Sequence, residues 1–129
     1  MKSKQYRRGR HSVTLIYAHL VFVTKYRKKV FNTEHIEYLK NVCRVVATKM
    51  DFRIVRLNGE SDHIHVLVEY PPKLSISQIV NSLKGVSSRR LRQKFDLKPH
   101  SDHLWSPSYF CVSCGGAPLT KIKEYIDAQ

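Results

Sequence analysis

Two alternating runs near the middle of the chain constrain its fold more than any other feature. Arg53 to Leu57 alternates, and His63 to Tyr70 alternates again. A two-residue period is the mark of a strand with one face buried. Asn58-Gly59 stands between the runs and is a strong turn signal. The runs are therefore expected to pair as an antiparallel hairpin. Pro71-Pro72 stops the second run, because proline cannot donate to a sheet ladder.

A helical pattern stands on each side of this hairpin. Upstream, Asn32 and Thr33 are good caps and Glu34 suits a first turn. Ile36, Leu39, Cys43, Val46, Ala47 and Met50 then recur at helical spacing, giving an amphipathic helix with one face on a core. Downstream, Ser75-Ile76-Ser77-Gln78 is a capping box that opens a second helix. Ile79, Leu83, Val86 and Phe95 supply its buried side, and Lys84, Arg89, Arg90 and Arg92 are mostly left to face out. Val13 to Thr24, apolar and rich in β-branched and aromatic residues, reads as a first strand. A fourth strand falls between Trp105 and Cys114, from about Tyr109. Gly115-Gly116 breaks it, and Pro118 suits the start of a short last helix.

The order is the ferredoxin-like βαββαβ pattern, an α+β fold with one antiparallel sheet and two helices on one face, plus a C-terminal helix. RNA-binding modules use the same sheet, so the fold alone does not settle function. At 129 residues the chain suits a single domain, 1–129. No apolar run approaches the roughly 18 residues needed to span a bilayer, and no signal core follows the basic start. A cytoplasmic protein with no membrane partner is expected. The three cysteines, Cys43, Cys111 and Cys114, are odd in number and widely spaced, which suits a reducing compartment.

Lys and Arg number 23 against 10 acids, a formal charge of +13. So large an excess favours a polyanionic partner over a merely solubilising surface, and nucleic acid is the commonest one. Residues 1–11 carry five basic side chains and no acid, and read as an arm that lies on a phosphate backbone. Lys25, Arg27 and Lys28, with Lys84, Arg89, Arg90 and Arg92, are candidate phosphate contacts, and Tyr26 is a candidate stacking surface for a base. Each of these charges singly is ordinary solvation; the cluster is the signal.

His63-Ile64-His65 lies in the second central strand. Alternation sends both imidazoles to one face, about 7 Å apart along the chain. Imidazole ligates manganese, iron or zinc well, and magnesium when oxygens complete the shell. The alternative is a hydrogen-bonded surface pair. Glu60 and Asp62 stand beside it, able to accept an imidazole N–H, to join a metal or simply to solvate the hairpin. Tyr125 and Gln129 are four apart on the last helix and so stack about 6 Å apart on one face. By itself that pair suits a core stripe ending in a polar residue. His19, on a strand, reads as structural. His100-x-x-His103 with Cys111-x-x-Cys114 carries zinc ligand types, yet two cysteines three apart in a strand point to opposite faces.

Four stretches together carry a resemblance over nearly the whole chain. They are His19-Leu20-Val21-Phe22-Val23-Thr24-Lys25-Tyr26-Arg27-Lys28-Lys29-Val30-Phe31, Asp62-His63-Ile64-His65, Leu83-Lys84-Gly85-Val86-Ser87-Ser88-Arg89, and Trp105-Ser106-Pro107-Ser108-Tyr109-Phe110 continuing to Gly115-Gly116-Ala117-Pro118-Leu119. In this order and spacing they resemble the single-tyrosine HUH transposases of the insertion-sequence-two-hundred type, where HUH denotes His, apolar, His. The resemblance implies a metal pair at His63 and His65, with Gln129 as a third ligand and Mg2+ or Mn2+ as the ion. It implies Tyr125 as the nucleophile that forms a 5′-phosphotyrosine bond, on a catalytic helix over 117–129 joined through Gly115-Gly116. It also implies a homodimer acting on single-stranded DNA hairpins at transposon ends in a prokaryotic cell. The competing expectation is a non-catalytic single-stranded nucleic-acid-binding module on the same sheet.

Overall fold

The computed structural model describes residues 6–97 and 103–113. The expected helix over 117–129 with Tyr125 and Gln129, the Gly115-Gly116 joint, His100 and Cys114 lie outside the described residues. Within them the order is β1 (Arg7–Arg8), β2 (Val13–Thr14), β3 (Tyr17–Val23), α1 (Thr33–Met50), β4 (Arg53–Glu60), β5 (His63–Glu69), α2 (Ile76–Phe95) and β6 (Phe110–Ser113). The main sheet runs β4-β5-β3-β6, and every pairing in it is antiparallel. Units β3-α1-β4-β5-α2-β6 thus form the expected ferredoxin-like fold, with β3 and β5, the two strands that precede the helices, at the centre of the sheet and β4 and β6 at its edges.

Both helices start where their caps lie. Asn32 accepts from the His35 amide while the His35 ring accepts from the Asn32 amide, and Ser75 and Gln78 make the same reciprocal pair. Leu39, Val42, Cys43, Val46 and Ala47 of α1 and Ile79, Val80, Leu83 and Leu91 of α2 are buried. They close over Ala18, Leu20 and Phe22 of β3 and Ile64, Val66 and Val68 of β5, forming one core cluster with Leu57 and Trp105. Each such large side chain contributes about 1.5–3 kcal/mol when fully buried.

Three local expectations are corrected. Asn58-Gly59 does not turn; both residues lie within β4, opposite His65 and Ile64, and the chain reverses at Ser61-Asp62. Gly59 is needed for close approach. A Cβ there would sit 2.6 Å from the His63 carbonyl oxygen and 2.8 Å from Ile64 Cγ2. The first strand is not continuous over 13–24, because β2 pairs with β1 and the sheet strand begins only at Tyr17. Nor is the described part of the N-terminal stretch a loose arm. Arg7 forks onto Glu69, with Nε 2.9 Å and Nη2 2.8 Å from the two carboxylate oxygens, and its Nη1 lies 3.1 Å from Asp51. Arg53 adds a third bond to Glu69 at 2.9 Å.

Glu69 is 1% exposed. Burial pushes its carboxyl up, but the hydrogen bonds and charges of Arg7 and Arg53 outweigh that, and its pKa falls below the usual 4.5. A lowered folded-state pKa stabilises the fold above pH 4.5, and that contribution drains away as pH falls through the lower value. Glu69→Gln should therefore cost about 2 kcal/mol at neutral pH, below the fully buried range because Arg53 is half exposed. Urea denaturation should show the deficit shrinking towards pH 3; a deficit that grows on acidification would refute the assignment. Gly59→Ala should lower stability by about 1–3 kcal/mol in the same assay, from overpacking against backbone.

Candidate active site

The central strand β5 is paired on both edges, so its alternation decides what each sheet face carries. Ile64, Val66 and Val68 face the helices and are 0% exposed. His63, His65, Leu67 and Glu69 point the other way, joined across the ladder by Val21 and Val23 of β3 and by Asn58 and Glu60 of β4. The two imidazole rings stand 6.4 Å apart between centroids, tilted by 31°. The expected shared face is therefore present.

Neighbouring groups prepare these rings. Asp62 Oδ1 lies 2.9 Å from His63 Nδ1. The Asp62 carboxyl is held below its usual range by that bond first, against the opposing effect of burial, and then by Arg27. An ionised carboxylate only accepts, so His63 donates from Nδ1 and keeps the Nε2 lone pair available. Arg27 fixes Asp62 in turn, with Nε and Nη2 at 3.2 and 3.1 Å from Oδ2. Glu60 Oε2 lies 3.8 Å from His63 Nε2, too far for a hydrogen bond, on an exposed side chain.

His19, a structural residue by its sequence context, also meets the imidazole pair. Its ring stacks on His65 at 5.6 Å with only 19° between planes. Its Nε2 is buried without a hydrogen-bond partner among the described residues. Burial, helped by the nearby His65 and Arg56 charges, pulls its pKa down to about 4, so the ring is neutral at physiological pH. Burial also lowers His65. Neutral imidazoles are the form that ligates metals. The sequence signal for His19 was its parity with Val21 and Val23, but the neighbouring strand was needed to align it.

Just past β3, Lys25–Arg27 form a single 3-10 turn. Tyr26 and Arg27 both hold positive φ, 58° and 53°. Left-handed backbone costs a non-glycine residue about 1 kcal/mol or more. The turn persists because Lys25 N donates to the Leu104 carbonyl, Thr24 N to the Asp62 carbonyl and Thr24 Oγ1 to the Lys28 carbonyl. The result leaves the Tyr26 ring 73% exposed with Lys25 Nζ 5.5 Å from its centroid. Lys25, Tyr26, Arg27 and Lys28 are thus brought beside Asp62 and the imidazoles, as an aromatic and basic rim.

Arg89 and Arg90 are exposed on α2, as expected. Lys84 differs, because its ammonium turns inward to the carbonyls of Ser106 and Ser108, at 2.6 and 2.8 Å. Two of its three N–H donors thus brace a loop. Among the described residues no group of three or more His, Cys, Asp or Glu closes on a point that could hold a metal. The residues present fit two corners of a divalent ion's shell, with Nε2 of His63 left free by Asp62. A complete shell needs donors from beyond this set.

Comparison with known proteins bears on the family and the fold. The family model described as transposase, IS200-like, matches residues 12–129. The ISDra2 transposase TnpA of Deinococcus radiodurans is 29% identical over 126 residues, 95% of this chain and 90% of that protein. The transposase for insertion sequence element IS200 of Salmonella typhimurium is 36% identical over 114 residues, 86% of this chain and 74% of that one. A crystal structure of a candidate transposase from D. radiodurans R1 superposes with a TM-score of 0.82 at 33% identity, covering 95% and 97% of the two chains. A REP-associated tyrosine transposase bound to a REP hairpin shares the fold, with a TM-score of 0.58 at 14% identity over 98% and 68%.

The Asp62–His63 pair makes a prediction that needs no DNA. Asp62→Asn should weaken Mn2+ binding about 10–100-fold in a titration followed by electron paramagnetic resonance. An unchanged affinity would remove Asp62 from any part in preparing the ligand.

Proposed function

Because the chain belongs to the IS200-like transposase family, we propose that it cuts and rejoins single-stranded DNA at hairpin-marked element ends, with Tyr125 as nucleophile. A transposase is a DNA strand transferase. The observation that best supports the finer reading is the imidazole pair on one sheet face with Asp62 holding His63 in its ligating tautomer. His63 and His65 would hold the ion, Mg2+ or Mn2+, with Gln129 as the third protein ligand. When bound, such an ion polarises the phosphate and offsets charge that builds during displacement.

The rest falls to the chain's own groups. A phenol with a pKa of about 10 is a weak nucleophile at neutral pH, so Tyr125 has to be aligned with the phosphorus. Its oxygen bonds to phosphorus as its proton passes to solvent. The bond from phosphorus to the 3′ oxygen breaks, and that oxygen takes up a proton and leaves as a free 3′-hydroxyl. The 5′ end stays on Tyr125 as a phosphodiester. Attack by another 3′-hydroxyl reverses the exchange, restoring the phenol and joining a new strand without a nucleotide cofactor. The rim of Lys25, Tyr26, Arg27 and Lys28 supports this reading, since it places cations and a stacking ring beside the imidazoles. The expected assembly is a homodimer with joined sheets, the tyrosine helix serving its own or its partner's imidazoles.

Labelled hairpin DNA incubated with protein and Mn2+ should give a covalent adduct of slow mobility on a denaturing gel. Tyr125→Phe should abolish the adduct and leave hairpin binding intact, and His63→Ala should lose cleavage. An adduct that survives Tyr125→Phe would identify another nucleophile. Binding with no cleavage by the wild-type protein at any divalent ion would favour the non-catalytic module.

A further inference from the structure

A second polar site lies at the opposite side of the sheet from the imidazoles. A cavity of about 490 Å³ opens between α2 and the segment that precedes β6, lined by Gly85, Ser88, Arg89 and Arg92 on one wall and by Trp105 and Ser106 on the other. Positions 85, 88, 89 and 92 fall on one helical face. We propose that this cavity binds a backbone phosphate of the DNA strand, with Arg89 and Arg92 as donors and Gly85 as its floor. The assignment rests on the single-stranded DNA reading above.

Three observations carry it. First, Nε and Nη2 of Arg92 are buried and have no hydrogen-bond partner among the described residues. A guanidinium in that state loses hydration without compensation. Those two donors can meet an incoming anion without giving up a hydrogen bond of their own. Second, no contact among the described residues calls for a glycine at position 85. A Cβ at that position would meet nothing within 4 Å. Glycine in a helix interior costs about 1 kcal/mol relative to alanine, so its use in open space fits close approach by something outside the chain. Third, the walls are built rigidly. Lys84 Nζ holds the carbonyls of Ser106 and Ser108, and Trp105 Nε1 donates to Ser87 Oγ at 3.1 Å. Of the Leu83–Arg89 stretch, Lys84, Gly85, Ser88 and Arg89 line the cavity, and Lys84 is held at its wall by the two carbonyls.

The cavity is also connected to the candidate active site. Thr24 bridges Trp105, Ser106 N donates to the Val23 carbonyl, and Lys25 N donates to the Leu104 carbonyl. On its other side Thr24 N donates to the Asp62 carbonyl. The end of β3 therefore joins the cavity wall to the residue beside His63. A strand rounding this end passes the exposed Tyr26 ring and reaches the cavity. A single strand bends through that path far more readily than a duplex, whose persistence length is about 50 nm.

The test uses full-length Tyr125→Phe protein in chelator, so that binding is read without cleavage. Hairpin DNA with single-stranded flanks is titrated across a salt series. Arg92→Gln and Arg89→Gln should each weaken binding and lower the salt slope by about one. Arg92→Lys should restore most of the slope. Gly85→Leu should leave the thermal midpoint unchanged or raised, because the added side chain enters open space in a helix, yet weaken binding about tenfold or more. Replacing single flank phosphates by neutral methylphosphonates should penalise the parent protein at one position, and that penalty should vanish in Arg92→Gln. Equal affinity and slope in all variants, with the parent still binding DNA, would overturn the cavity assignment and leave the proposed function standing. Failure of the parent to bind any single-stranded DNA would overturn both. Arg92-dependent binding of inorganic phosphate without any effect on DNA would show a free anion site and refute the strand assignment.

Discussion

Strand β5 is hydrogen-bonded along both edges, to β3 and to β4, and its side chains alternate without interruption. A slip of one residue in that strand would send His63 and His65 into the core and bring Ile64, Val66 and Val68 to the other face. Burial of those three aliphatic residues, each 0% exposed, is the force that forbids the slip. The same force that closes the core thereby holds two imidazoles side by side. Gly59 belongs to this constraint, since the neighbouring strand packs so closely there that a methyl group would collide with the His63 carbonyl oxygen.

The end of β3 organises what surrounds the imidazoles. Thr24 is 1% exposed and uses its amide and hydroxyl to tie Asp62 and Lys28 together, while its neighbours Val23 and Lys25 bond the Leu104–Ser106 segment. Two residues with positive φ follow directly, a strained turn in a place where a plain loop would have been cheaper. What the strain secures is an outward Tyr26 ring and an Arg27 that steadies Asp62. One short segment thus joins the metal-ligand side, the aromatic rim and the wall of the cavity beside α2.

Basic residues divide into three kinds once their partners are known. Arg7 and Arg53 neutralise the buried Glu69 and belong to the fold. Lys84 braces a loop through two carbonyls. Arg89 and Arg90 are exposed, and Arg92 carries buried donors without acceptors. A formal charge of +13 is therefore not one uniform field for a polyanion. Part of it is internal, and Lys25, Arg27 and Lys28 at one end of the sheet and Arg89 and Arg92 on one face of α2 form separate groups.

Local chemistry made much of this legible in advance. Period-two and helical spacing decide elements, since each depends only on which way successive side chains point. The ferredoxin-like order, both helix starts and the common face of His63 and His65 followed from that. Signals with two physical meanings misled. Glycine after asparagine suits a turn, but Gly59 answers a crowded strand pair that local sequence does not display. Lys84 and Arg92 look alike as helical cations, and only the position of the Ser106–Ser108 backbone separates the lysine that braces it from the arginine whose Nε and Nη2 have no partner among the described residues. His19 likewise stacks on His65 only because β3 lies beside β5 in one register. Sequence by itself determined the strands, helices and ligand types, which are properties of neighbours along the chain. Partners, burial and shared cavities were decided by the tertiary structure, because they depend on residues that meet only after the chain has folded.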